Sequence, residues 1–78
     1  MNPDIITEQI TKKLIGAEVN IHSPDNVHFY AEVIYSGFKG KSLLEQHRMV
    51  YATIDDLLKS EAVHALKLDT KIPGAHNE

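Results

Sequence analysis

Cysteine and tryptophan are both absent from this 78-residue chain. Without cysteine no disulfide can staple the fold, and no thiolate is at hand as a nucleophile or metal ligand. Aromatic side chains are few, two Phe and three Tyr, so the core must be mostly aliphatic. No apolar run approaches the ~20 residues needed to cross a bilayer, and the N-terminus carries no basic-then-apolar signal sequence. The cytoplasm is the expected compartment. Positive charge is also scarce: eight Lys and Arg against eleven Asp and Glu leave a net −3 with neutral His. Phosphate contacts need clustered Lys and Arg, so this balance disfavours a purely electrostatic nucleic-acid binder, though a local basic patch survives a negative total.

What is present fits one small domain, taken as residues 1–78 with a loose tail over 71–78. The apolar fraction of 42 % is ordinary for a globular chain of this size. Five histidines are many for the length, and they make the sign of the surface partly pH-dependent.

The pattern along the chain predicts α-β-β-α-α-β. Asn2-Pro3-Asp4 supplies an N-cap, a proline at the first helical position and an acidic first turn. Ile6, Ile10, Lys13 and Leu14 continue it as a stripe, and Gly16 stands where helices end, giving a helix over about 3–15. Ala17, Val19 and Ile21 then alternate with polar residues as a half-buried strand does. Ser23-Pro24-Asp25-Asn26 is a run of turn formers, after which alternation resumes over 27–36, with Phe29, Ala31, Val33 and Tyr35 on one side. These two strands predict an antiparallel hairpin.

The turn Gly37-Phe38-Lys39-Gly40 leads into a helix capped by Ser42 with Glu45 three residues on. Its apolar face is predicted from Leu43, Leu44, His47, Val50 and Tyr51. Thr53-Ile54-Asp55-Asp56 resembles a second cap, so a break is expected near Ala52, followed by a short third helix. From Ala62 to Thr70 alternation returns, placing His64, Leu66 and Leu68 on one face and Val63, Ala65, Lys67 and Asp69 on the other. A hairpin, a helical crossover and a returning strand give an α+β fold: a three-stranded mixed sheet with helices on one face and the other partly wet.

Several residues invite a functional reading. Lys39, Lys41 and Arg48 put positive charge around the turn and on the helix, against which Glu45 offsets one. Gly37-Phe38-Lys39-Gly40 has the Gly-x-x-Gly form of a phosphate clamp, though two glycines at that spacing are common and Phe38 reads as a core anchor. His64, taken alone, reads as a core-edge imidazole bonded to backbone. Catalysis finds no support: Asp55 and Asp56 are adjacent, so they do not face one another on a helix, and no Ser/His/Asp spacing stands out. No enzyme is expected.

Four motifs, in this order and spacing, resemble the BolA-like family. They are His28-Phe29, Ser36-Gly37-Phe38-Lys39-Gly40, His47-Arg48-Met49-Val50-Tyr51 and Val63-His64-Ala65-Leu66. The likeness covers about residues 4–73 and implies a fold related to the class II KH arrangement. It implies an adaptor for a monothiol glutaredoxin, sharing a bridging [2Fe–2S] cluster in iron–sulfur trafficking and iron regulation. It also implies an alternative, a DNA-binding transcriptional regulator of stress responses and cell shape, acting through Lys39, Lys41 and Arg48.

In the family the position of His64 is a cluster ligand. The second ligand comes from a Cys or His in the loop between the first two strands, where this chain has Asp25 in the place of the cysteine. His22 is the expected substitute, with His28 as the alternative because His28 also belongs to the family's strand motif. Fe–S clusters are held chiefly by thiolates. This chain has no cysteine, and the resemblance implies that a glutaredoxin cysteine and glutathione complete the set, so the isolated protein is expected to be colourless.

Overall fold

The computed structural model describes residues 2–63 and 65–74, which form α1 (Pro3–Lys13), β1 (Glu18–His22), β2 (His28–Ile34), a 3-10 turn (Ser36–Phe38), α2 (Leu43–Thr53), α3 (Asp55–Lys59) and β3 (Ala65–Lys71). The order is the one the sequence predicts. The N-cap of α1 forms as expected, Asp4 N–H donating to Asn2 Oδ1 at 2.9 Å. Ile6 and Ile10 face the core from this helix.

β2 is the central strand. It pairs antiparallel with β1, His22 opposite Tyr30 and Glu18 opposite Ile34. It pairs parallel with β3, His28 opposite Ala65 and Ile34 opposite Lys71. Phe29 and Val33 point inward and join Ile6, Ile10, Leu14, Phe38, Val50, Ile54 and Val63 in one buried cluster. Burying each large side chain of this kind is worth about 1.5–3 kcal/mol, so this cluster dominates the stability of a chain without disulfides. The opposite sheet face stays wet, with Asn20, His22, Tyr30, Lys67 and Asp69 exposed. There Lys71 Nζ lies 2.7 Å from Glu32 Oε2, an ion pair whose hydrogen bond raises the lysine's pKa.

The turn after β2 is anchored by Phe38, fully buried, with Tyr35 packed edge-on at 5.3 Å between ring centroids. Gly37 leaves room for this contact, because a Cβ there would run into the Tyr35 ring unless the ring moved. Gly40 takes φ +80°, which favours glycine, and releases the chain into α2. The capping box closes as predicted: Glu45 N–H donates to Ser42 Oγ at 3.1 Å and Ser42 N–H to Glu45 Oε1 at 2.9 Å.

Several details depart from the sequence reading. The buried face of α2 is Gln46, Val50 and Thr53, whereas Leu43 and Leu44 are 62 % and 60 % exposed. Val50 is buried and Tyr51 packs against the core as predicted, but apolar spacing overlooked Gln46, which is buried with its polar atoms satisfied: Nε2 donates to Lys41 O at 3.0 Å, and Oε1 accepts from Thr70 Oγ1 at 2.6 Å. Thr53 does not cap α3. Its hydroxyl turns back to Val50 O at 2.6 Å, and α3 has no side-chain cap. The break falls at Ile54, whose side chain is fully buried. β3 begins at Ala65, so Val63, predicted on the outer face of a longer strand, packs into the core before the strand starts. β2 is likewise shorter than predicted, and β3 runs on to Lys71, the first residue assigned to the tail.

The Thr70–Gln46 bond ties α2 to β3 inside the core. Thr70→Val is expected to destabilise the protein by about 1–3 kcal/mol by stranding a buried acceptor, read from the urea midpoint. Adding Gln46→Met should recover part of that loss.

Candidate functional site

The bend between β1 and β2 is built around one carboxylate. Asp25 Oδ1 accepts the backbone N–H of Val27 at 2.9 Å and of His28 at 2.8 Å, closing the turn that Asp favours through its short side chain. Its second oxygen, Oδ2, lies 2.7 Å from His28 Nδ1. Ser23 completes the bend. Its hydroxyl accepts from Asn26 N–H at 2.9 Å and donates to His28 O at 2.7 Å, while Asn26 takes φ +59°, a conformation Asn tolerates.

A carboxylate only accepts hydrogen bonds, so the proton between these two groups sits on His28 Nδ1. In the neutral ring the lone pair is then on Nε2, which makes no hydrogen bond among the described residues. The bonds from the His28 ring, then from the His28 and Val27 amides, hold the Asp25 carboxyl well below the usual carboxylate range. Both side chains remain exposed, 64 % for His28 and 46 % for Asp25.

Position in the sheet separates the two loop histidines. His28 opens β2 and lies opposite Ala65, the first residue of β3. A shallow cleft of about 370 Å³ is lined there by His28, Phe29, Ala65 and Leu66 among others. His22 ends β1, on the far side of β2, opposite Tyr30, with the two rings 6.3 Å apart. The row containing His22 meets β3 at Lys67, not at its start. His64, the ligand position implied by the family likeness, lies outside the described residues. No group of three or more His, Cys, Asp or Glu side chains that could hold a metal ion occurs among the described residues. Imidazole nitrogens suit iron as a partial ligand set.

The second candidate surface is the turn before α2. Lys39, Lys41 and Arg48 are exposed and form no salt bridge among the described residues. Glu45 lies among them. Its pKa is lowered by the bonds to Ser42 first, with smaller help from Lys41 and Arg48. The turn's own amides are partly engaged: Phe38 N–H donates to Tyr35 O and Lys39 N–H to Ser36 O, each at 3.2 Å. The Gly-x-x-Gly stretch is thus a buried-Phe anchor with two of its amides committed internally.

A family model described as "BolA-like protein" matches residues 8–75. The chain belongs to the BolA-like family. Among solved structures, the bolA protein homologue from Coxiella burnetii superposes with a TM-score of 0.86 at 29 % identity, covering 100 % of this chain and 99 % of that one. Among sequences, this BolA-like protein is 41 % identical over 46 residues to SufE-like protein 1, chloroplastic/mitochondrial, of Arabidopsis thaliana, a match covering 59 % of the chain. It is 28 % identical over 71 residues to Protein BOLA1, chloroplastic, of the same plant, covering 90 % of the chain. The chain spans only 12 % and 44 % of those two relatives' lengths. No helix of the described residues is long and apolar enough to cross a membrane.

The sequence reading found both loop histidines of this BolA-like protein but missed that Asp25 holds one of them. The signal was there: an Asp followed three residues later by His, inside a run of turn formers, lets one carboxylate take both the turn amides and the ring. Because the folded-state pKa of Asp25 is depressed, its contribution to the bend is fully present above the ordinary Asp range. It shrinks as pH falls below that range and is lost once the folded value is passed. Carbon-detected titration should therefore place the Asp25 carboxyl midpoint below the other exposed aspartates. The Val27 and His28 amide shifts should move with it.

Proposed function

We propose that this BolA-like protein is an adaptor that joins a monothiol glutaredoxin by sharing a [2Fe–2S] cluster, in iron–sulfur trafficking and iron regulation. The observation that carries the reading is the exposed imidazole of His28, held at the end of the sheet where β3 begins. The residue before Ala65 in the sequence is His64. The chain would contribute His64 and one imidazole of the β1–β2 bend, while a glutaredoxin cysteine and glutathione supply the thiolates that this chain lacks. The cluster brings the redox and transfer chemistry. The chain's own part is to present nitrogen ligands from a rigid sheet end and to dock the partner, with no catalytic step.

A DNA-binding role through Lys39, Lys41 and Arg48 is the second reading, favoured by three exposed cations with no ion partner among the described residues. Glu45 in their midst and the committed turn amides weigh against it. Mixing the chain with a monothiol glutaredoxin, iron, sulfide and glutathione should produce visible cluster absorption that neither protein shows alone in that form and that His64→Ala abolishes. If no such absorption develops while the chain binds DNA with steep salt dependence, lost on replacing the three cations, the adaptor reading fails and the second stands.

A further inference from the structure

The bend between β1 and β2 holds an unusual arrangement for a loop that lacks sulfur. A side chain in the cysteine's place has three ways to act: it can ligate directly, do nothing, or position another ligand. Asp25 Oδ1 is occupied by two amides and Oδ2 by the His28 ring, so direct ligation through Oδ2 would compete with the ring that this oxygen holds. The same bonds fix the ring. Metal-binding histidines commonly donate their other ring N–H to a carboxylate, which sets the tautomer and makes the free nitrogen a better donor.

We infer that Asp25 is a positioning residue which, in place of a loop thiol, locks His28 with its proton on Nδ1 and its Nε2 lone pair outward, making His28 and not His22 the loop's ligand. Position supports the choice. His28 sits on the strand bonded directly to β3, opposite Ala65, beside an open cleft. His22 is a strand further away, roughly 10 Å across two strand spacings, and its row reaches β3 only at Lys67. No hydrogen bond orients the His22 ring among the described residues, and its nearest aromatic contact there is the Tyr30 ring, 6.3 Å between centroids.

The inference rests on the adaptor reading, and the tests separate the two. Asp25→Asn keeps an oxygen for the Val27 and His28 amides but turns an N–H₂ donor toward Nδ1. The neutral ring must then carry its proton on Nε2, where the lone pair was. In the isolated full chain at about pH 8, where imidazoles are mostly neutral, long-range proton–nitrogen spectra should show His28 protonated at Nδ1, and D25N should reverse the tautomer. In mixtures with glutaredoxin, H28A should remove the cluster absorption and D25N should weaken cluster retention roughly 10–100-fold, with amide spectra showing the fold intact in both.

Absorption that survives H28A, or that H22A removes instead, overturns the assignment and leaves the adaptor reading standing. A D25N protein with an unchanged tautomer or unchanged cluster retention overturns the role of Asp25. If the unaltered chain yields no cluster with glutaredoxin, the adaptor reading falls and this inference falls with it.

Discussion

The parallel pairing of β2 with β3 is the constraint that organises this molecule. Parallel neighbours cannot be joined by a tight turn, so the chain must leave the end of β2, cross the sheet and return to its beginning. Everything between Tyr35 and Val63 is that return path: the anchored turn, α2, the break at Ile54 and α3. One consequence is geometric. The first residue of β3 is set beside the first residue of β2, at the end where the β1–β2 bend also lies. Two loops far apart in sequence are brought to one sheet end by strand direction alone.

The crossover holds its place by mixed means. Phe38, Val50 and Ile54 bury apolar surface beneath the sheet. Gln46 adds a directional link, bonded to Lys41 O on one side and Thr70 on the other. A buried amide with both ends satisfied fixes the rotation of α2 about its axis, which apolar contacts alone specify less sharply. Leu44 lies off that face, while Leu43, two turns before Val50 and on the same side of the helix, is exposed in the first turn.

The β1–β2 bend shows local electrostatics at work on a short segment. One carboxylate satisfies two amides and an imidazole. Sequence-local bonds of this kind form without help from the core, since all partners lie within three residues. The core's contribution is different: it decides what this bend faces. Its exposure keeps the pair in water, so its value lies in orientation more than in stability.

Sequence by itself determined the elements whose causes are local. The Asn2 and Ser42 caps, the alternating strands, the turn formers at 23–26 and the buried Phe38 were all legible, because each depends on spacing or on bonds within a few residues. The order α-β-β-α-α-β and a mixed sheet followed from them. Only the tertiary structure decided that Gln46 joins the buried face of α2, because an amide is acceptable inside when Thr70, 24 residues away, meets it. It decided where β3 starts, since Val63 was claimed by the core before the strand could include it. It also decided that His28, not His22, lies against β3, for register is a relation between strands and no single strand's pattern contains it.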